Sequence, residues 1–97
     1  SIKFDQKAIN KKWKQEFVSK LVELSNKLTD LDNFKHKDIE QAFNLYLDFS
    51  GMSVGKIMPM LRIAITGRLA GPSMFEALEL IGKEKMKKRI DFAINTI

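Results

Sequence analysis

Cysteine is absent from this sequence, so it has no disulfide framework and no thiol chemistry. That absence fits a reducing compartment. No apolar run approaches the ~18–20 residues that span a bilayer, and the chain opens with neither a signal peptide nor a methionine. We therefore expect a domain excised from a longer protein, without a membrane-spanning segment.

Catalytic and metal-binding motifs are also missing. His36 is the only histidine, and it lies in a lysine-rich loop without a second candidate ligand, so the sequence predicts no metal site. No phosphate loop, nucleophile elbow or zinc-protease motif occurs. The acids are scattered along predicted helix surfaces, and Glu76 is better explained as a helix cap than as a general base. We expect no catalytic residue in this chain.

The composition is that of a small folded protein with excess positive charge. Its 97 residues are 44% hydrophobic and 30% charged, which predicts one domain, residues 1–97, around one modest core. The net charge of +5 favours an anionic partner, leaving nucleic acid, acidic protein and anionic lipid open. Six lysines and two acids give residues 1–20 a net charge of +4, whereas three lysines and six acids give residues 21–50 a net charge of −3.

Apolar residues recur at helical spacing along most of the chain, and no stretch alternates as a strand would. This pattern predicts an all-α fold, a compact bundle of about five helices. The first helix is predicted from an Asp5 cap to Leu28, about twice the average length, so a break near Gln15 remains open. The second is predicted over residues 38–49, with Gly51 as its C-terminal cap.

The other three helices follow from caps and breakers. The third begins after Ser53 and ends at Gly67; because it contains Pro59, it either starts close to that proline or is kinked there. Ser73 and Glu76 match a capping box and predict a fourth helix from Met74 to Gly82. The fifth occupies residues 83–97, where five basic residues and two acids give a net charge of +3. Its basic run at residues 85–89 is typical of a solvated face or of a phosphate-binding ridge.

The segment 55–75 contains both prolines and three of the five glycines. We interpret it as a helix–loop–helix whose loop faces a partner. Arg62 lies among apolar residues, so its stem should be partly buried; it suits bidentate contact with a base or phosphate, or else an internal salt bridge or helix-end contact. Gly71 would let a partner approach the backbone closely. Met74 and Phe75 offer faces for a stacked base or, alternatively, belong to the core.

These residues resemble the C-terminal end of bacterial glutamate–tRNA ligases. The resemblance is dense over residues 55–90 and weaker at the Lys11-Lys12-Trp13-Lys14 segment. It is carried by three motifs: Arg62, Ala64, Thr66 and Gly67 at a helix end; Gly71-Pro72-Ser73-Met74-Phe75-Glu76 at a turn; and Gly82-Lys83-Glu84 at a helix start.

The resemblance implies the distal half of an α-helical anticodon-binding domain. Arg62 would contact an anticodon base or its phosphate, with Thr66 on the same side. Gly71, Pro72 and Met74 would form the turn against which bases pack, supported by Phe75. Steering of the phosphate backbone would fall to five cations: Lys56, Arg68, Lys83, Lys87 and Arg89.

The implied partners are tRNA(Glu) and the remainder of a cytoplasmic ligase chain. That parent enzyme would use ATP and magnesium at a distant site, and this chain itself would hold no cofactor and no metal. Since the His-Ile-Gly-His motif of the ligase active site is absent, the chain would bind tRNA without aminoacylating it. The alternative is a basic helical module that binds another protein.

Overall fold

The computed structural model describes residues 2–97, which form six α-helices and one 3-10 turn and contain no strand. The prediction of an all-α fold is confirmed. In chain order the elements are α1 (Gln6–Lys12), a 3-10 turn (Gln15–Phe17), α2 (Val18–Thr29), α3 (His36–Ser50), α4 (Val54–Thr66), α5 (Met74–Ile81) and α6 (Lys83–Thr96).

The predicted first helix is divided in two close to Gln15, where the sequence had left the possibility of a break open. Trp13 and Lys14 are extended, with φ/ψ of −81/121° and −122/117°, and the 3-10 turn follows them. The Trp13 side chain is only 7% exposed. The break lets α1 pack against α4 while α2 packs against α3, α4 and α6. No glycine or proline lies at the break.

The predicted caps are confirmed in part. The Asp5 carboxylate accepts from the Lys7 N–H at 3.1 Å, and Gly51 ends α3 with φ at +74°. Ser53 and Ser73 directly precede α4 and α5, but neither side chain makes a capping hydrogen bond. The predicted capping box of Ser73 is therefore wrong in its hydrogen bond, although it gave the correct start of α5.

The core is centred on α4, which packs against α1, α2 and α6. The helix begins at Val54, well before Pro59, whose missing N–H leaves the Gly55 carbonyl without a helical donor. Gly55 is exposed, so water can hydrate that carbonyl. Six α4 side chains are at most 1% exposed: Ile57, Met60, Leu61, Ile63, Ala64 and Ile65.

Two side-chain pairs link helices that are distant in sequence. Glu79 on α5 accepts from the His36 N–H at 2.6 Å and lies 2.8 Å from its Nδ1, so α5 supplies the N-terminal cap of α3. The backbone hydrogen bond from His36, followed by the side-chain one, lowers the pKa of Glu79. The Tyr46 hydroxyl donates to Glu23 at 2.6 Å, and burial, together with that carboxylate, raises the pKa of Tyr46 to about 12.

The Glu79 cap predicts a pH-dependent contribution to stability. Because the folded-state pKa lies below the ordinary value of 4.5, the contribution is present above that pH and is lost as pH falls through the folded-state pKa. Glu79→Gln should therefore lower the free energy of unfolding near neutral pH and have little effect in acid. Urea melts across pH 3–7 test this, with Glu76→Gln, an exposed carboxylate on the same helix, as control. A pH-independent difference between wild type and Glu79→Gln would contradict it.

Candidate nucleic-acid interface

The C-terminal end of α4 places Arg62 and Thr66 one helical turn apart. The Thr66 hydroxyl lies 2.9 Å from the Arg62 carbonyl and 3.0 Å from the Arg68 carbonyl, and can donate to either. It also accepts from the Arg68 N–H at 3.3 Å. Thr66 therefore ties the last turn of α4 to the loop that follows.

Arg62 and Gly71 are brought together by this loop. A Cβ on Gly71 would lie 3.5 Å from Arg62 Nη1, an ordinary contact distance. Nη1 is buried and has no hydrogen-bond partner within residues 2–97, and none of the ion pairs of that range includes Arg62. The alternative of an internal salt bridge thus finds no support. A buried donor without an acceptor costs about 1–3 kcal/mol, so the site is suited to a ligand that brings an acceptor.

The turn before α5 is open to solvent. Gly71, Pro72 and Ser73 are exposed, and Gly71 has a φ of +152°, outside the range that side-chain-bearing residues favour. Because Ser73 makes no side-chain cap, the first N–H groups of α5 remain available to a ligand. The positive end of the α5 dipole adds to the charge of Arg62, and this combination favours an anion.

Two residues expected beside a stacked base are instead packed inward. Met74 is 2% exposed, so its side chain supports the turn from within the core. Phe75 is half-buried and lies edge-on to Phe43, with ring centroids 5.4 Å apart. The core alternative therefore describes both side chains.

Of the five expected steering cations, Lys56 and Arg68 are exposed and form no ion pair among residues 2–97. Arg68 lies in the loop itself, two residues after Thr66. Lys56 is at the opposite end of α4, where its Nζ lies 5.4 Å above the Phe17 ring. With a rise of ~1.5 Å per residue, the ten steps from Lys56 to Thr66, where α4 ends, span roughly 15 Å, so Lys56 and Arg68 lie near opposite ends of the helix.

The other three cations have partners inside the domain. Lys83 donates through Nζ to the Leu31 carbonyl. Lys87 pairs with Asp91 one turn further along α6, at 3.6 Å. Arg89 donates from Nη1 to the Ile65 carbonyl at 2.9 Å.

Sequence reasoning missed the part played by the N-terminal segment. The Asp5 N–H donates to the Gly67 carbonyl at 2.7 Å, and an exposed residue, Lys3, adds a positive charge beside the loop. A cleft of about 410 Å³ separates this segment from the end of α4, lined by Lys3, Phe4, Asp5, Thr66, Gly67 and Arg68. Because the contact joins residues about sixty positions apart, no local pattern could have indicated it.

Two further findings concern other kinds of site. No His, Asp and Glu side chains of residues 2–97 form a group that could hold a metal ion. None of the helices in that range is both long and apolar enough to cross a membrane.

Comparison with known proteins identifies relatives along nearly the whole chain. A model of the family described as "Anticodon binding domain" matches residues 1–94. The glutamate–tRNA ligase of Christiangramia forsetii is 35% identical over 94 residues, 97% of this chain and 19% of the relative. That of Desulfosudis oleivorans is 34% identical over 96 residues, 99% of this chain and 21% of the relative. The chain thus spans about a fifth of the length of these curated relatives.

Two solved structures also align with nearly the whole chain. A glutamate tRNA ligase from Elizabethkingia meningosepticum, crystallised with its amino acid, aligns with a TM-score of 0.90 and 36% identity, over 96% of this chain and 18% of that one. A glutamate–tRNA synthetase from Elizabethkingia anophelis aligns with a TM-score of 0.82 and 34% identity, with the same coverage of both chains.

Because the Lys3 backbone lies close to Gly67, adding one methyl group at Gly67 should have a large effect on stability. Gly67 has a φ of +83°, and an added Cβ would lie 2.3 Å from the Lys3 carbonyl oxygen. Gly67→Ala should therefore destabilise the domain by roughly 2–4 kcal/mol, as a left-handed conformation and a backbone clash combine. Gly51→Ala is the matched control: its φ is +74°, with no atom within 4 Å, so only the conformational cost of about 1 kcal/mol applies. Equal losses in denaturant melts would contradict the clash.

Proposed function

Because this chain belongs to the family of anticodon-binding domains, we propose that it is the distal, C-terminal part of such a domain in a glutamate–tRNA ligase. The parent enzyme attaches glutamate to tRNA(Glu) using ATP and magnesium in the cytoplasm. The names of the relatives support this proposal, and so does their length, because about four fifths of it lies outside the matched region. The catalytic chemistry belongs to that remainder, and this chain contributes recognition.

The observation that carries the proposal is the unpartnered Arg62 Nη1 beside Gly71. Anticodon bases are single-stranded and expose their hydrogen-bonding edges, which present carbonyl oxygens and ring nitrogens as acceptors. One such acceptor at the Gly71 turn would complete the hydrogen bonding of the guanidinium. The exposed Gly71 and Pro72 would allow the base to approach the backbone, while Thr66 fixes the loop beneath it.

Phosphate binding is the second part of the proposal. The free N–H groups at the start of α5 and the exposed Arg68 guanidinium lie on the same loop as Gly71. Both attract a phosphate, and neither reads a base, so they would set the register of the RNA backbone. Lys3, beside the loop, would steer a neighbouring phosphate, and Lys56 a more distant one. The alternative of a protein-binding module is not favoured, since no member among the relatives described above is named as one.

Replacing Arg62 tests base recognition. In the full-length ligase, Arg62→Ala should reduce the preference for cognate over anticodon-substituted tRNA by about 1–3 kcal/mol, the range for a bidentate base contact. The measurement is kcat/KM for aminoacylation of the two tRNAs. Arg68→Ala is the matched control in the same loop, because loss of a phosphate contact should weaken both tRNAs alike. Unchanged discrimination in Arg62→Ala would remove Arg62 from base recognition.

A further inference from the structure

Arg89 lies on α6, outside the loop of residues 68–73. Its side chain reaches the C-terminal end of α4, the helix end that carries Arg62. Its side chain is half-buried, and its Nη1 donates to the Ile65 carbonyl at 2.9 Å. That carbonyl is among the last four of α4, which have no donor within the helix. Since the Ile65 side chain is 1% exposed, the surroundings are largely closed to water. Arg89 thus supplies a hydrogen bond that α4 itself cannot make.

We propose that Arg89 is a positioning residue, which fixes the C-terminal turn of α4 so that Arg62 is held against Gly71, and that it does not bind RNA phosphate. This inference rests on the proposed function. It assigns Arg89 a different task from Arg68, although both were expected from sequence to steer the phosphate backbone.

The geometry of the helix end supports this role. Ile65 follows Arg62 by three residues, so both belong to the last turn of α4. The same turn is held by the Gly67 N–H, which donates to the Ile63 carbonyl at 2.8 Å, and by the Asp5 N–H, which donates to the Gly67 carbonyl at 2.7 Å. Restraints therefore come from α6 and from the N-terminal segment. A shift of this turn would move Arg62 Nη1 away from the Gly71 loop.

Electrostatics favours the same reading. The C-terminal end of a helix carries a partial negative charge, which repels an approaching phosphate. A guanidinium bonded to one of its carbonyls offsets that charge. Arg89 would thus reduce the repulsion between the C-terminal end of α4 and RNA phosphates without contacting them.

The other neighbours of Arg89 also lie away from the loop. With Ile2, Lys88 and Phe92 it lines a cleft of about 250 Å³, and Phe92 stacks on Phe4 of the N-terminal segment at 5.9 Å. The side chain therefore lies among α4, α6 and the N-terminal segment, at the edge of this cleft. None of these neighbours belongs to residues 68–73.

The salt dependence of tRNA binding separates positioning from phosphate contact. A lost phosphate contact lowers the slope of log K against log salt by about 0.7–0.9. In the full-length ligase, Arg68→Met should show that change. Arg89→Met should leave the slope at the wild-type value and yet reduce discrimination between cognate and anticodon-substituted tRNA by about fivefold or more. Lys88→Met, which removes an exposed charge from the same helix, controls for the loss of charge on α6.

Arg89→Lys keeps the test decisive if Arg89→Met folds poorly in thermal melts, and a double variant adds a second test if Arg89→Met folds well. Arg89→Lys retains the charge, but its amine is one bond closer to the backbone than Nη1, so it should weaken the hydrogen bond to the Ile65 carbonyl and also lose discrimination. The double variant Arg62→Ala/Arg89→Met should discriminate hardly worse than Arg62→Ala alone, because residues acting through one contact are not additive.

Three results would overturn the inference: a slope reduced in Arg89→Met as in Arg68→Met, full discrimination in Arg89→Lys, or additive losses in the double variant. Failure of the proposed base recognition would be seen separately, as unchanged discrimination in Arg62→Ala. In that case the salt slope alone decides whether Arg89 contacts phosphate.

Discussion

The structure depends on how the buried helix α4 ends. Its side chains fill the core, so its last carbonyls cannot all rely on water and need donors from elsewhere. Arg89 supplies one from α6, Gly67 turns the chain in a left-handed conformation, and Asp5 bonds to the residue beyond the helix. Because these restraints converge on one turn, the loop that follows is fixed relative to the core, and a recognition site can be built there with little loss of entropy on binding.

The basic residues of the domain therefore divide by their partners and not by their position in sequence. Arg62 has an enclosed Nη1 without a partner at the loop, whereas Arg89, Lys83 and Lys87 are bonded to a carbonyl or a carboxylate of the domain. Arg68 stays exposed. A count of positive charge predicts an anionic partner, but it cannot separate a cation that reads a ligand from one that holds the scaffold, since both are equally basic.

Much of the architecture was predictable because it rests on local chemistry. Helical periodicity gave the all-α class, and the glycines at 51, 67 and 82 marked three helix ends. The motifs at residues 55–90 gave the family, and the family match now extends over residues 1–94. The error was in a cap: the Ser73 side chain makes no hydrogen bond to α5. The break in the long first helix had been left open on its length alone, and the structure places it where Trp13 enters the core. No glycine or proline marked that position in the sequence.

The sequence by itself determined that Arg62 and the Gly71-Pro72 turn lie at consecutive helix ends, since local breakers and caps fix where helices stop and start. Only the tertiary structure decided which donors there are free. It placed Gly71 against Arg62 Nη1, buried Met74, and joined Arg89 to Ile65 across 24 positions. The physical reason is that a hydrogen bond depends on distance and direction in space, and packing among α4, α6 and the N-terminal segment sets both.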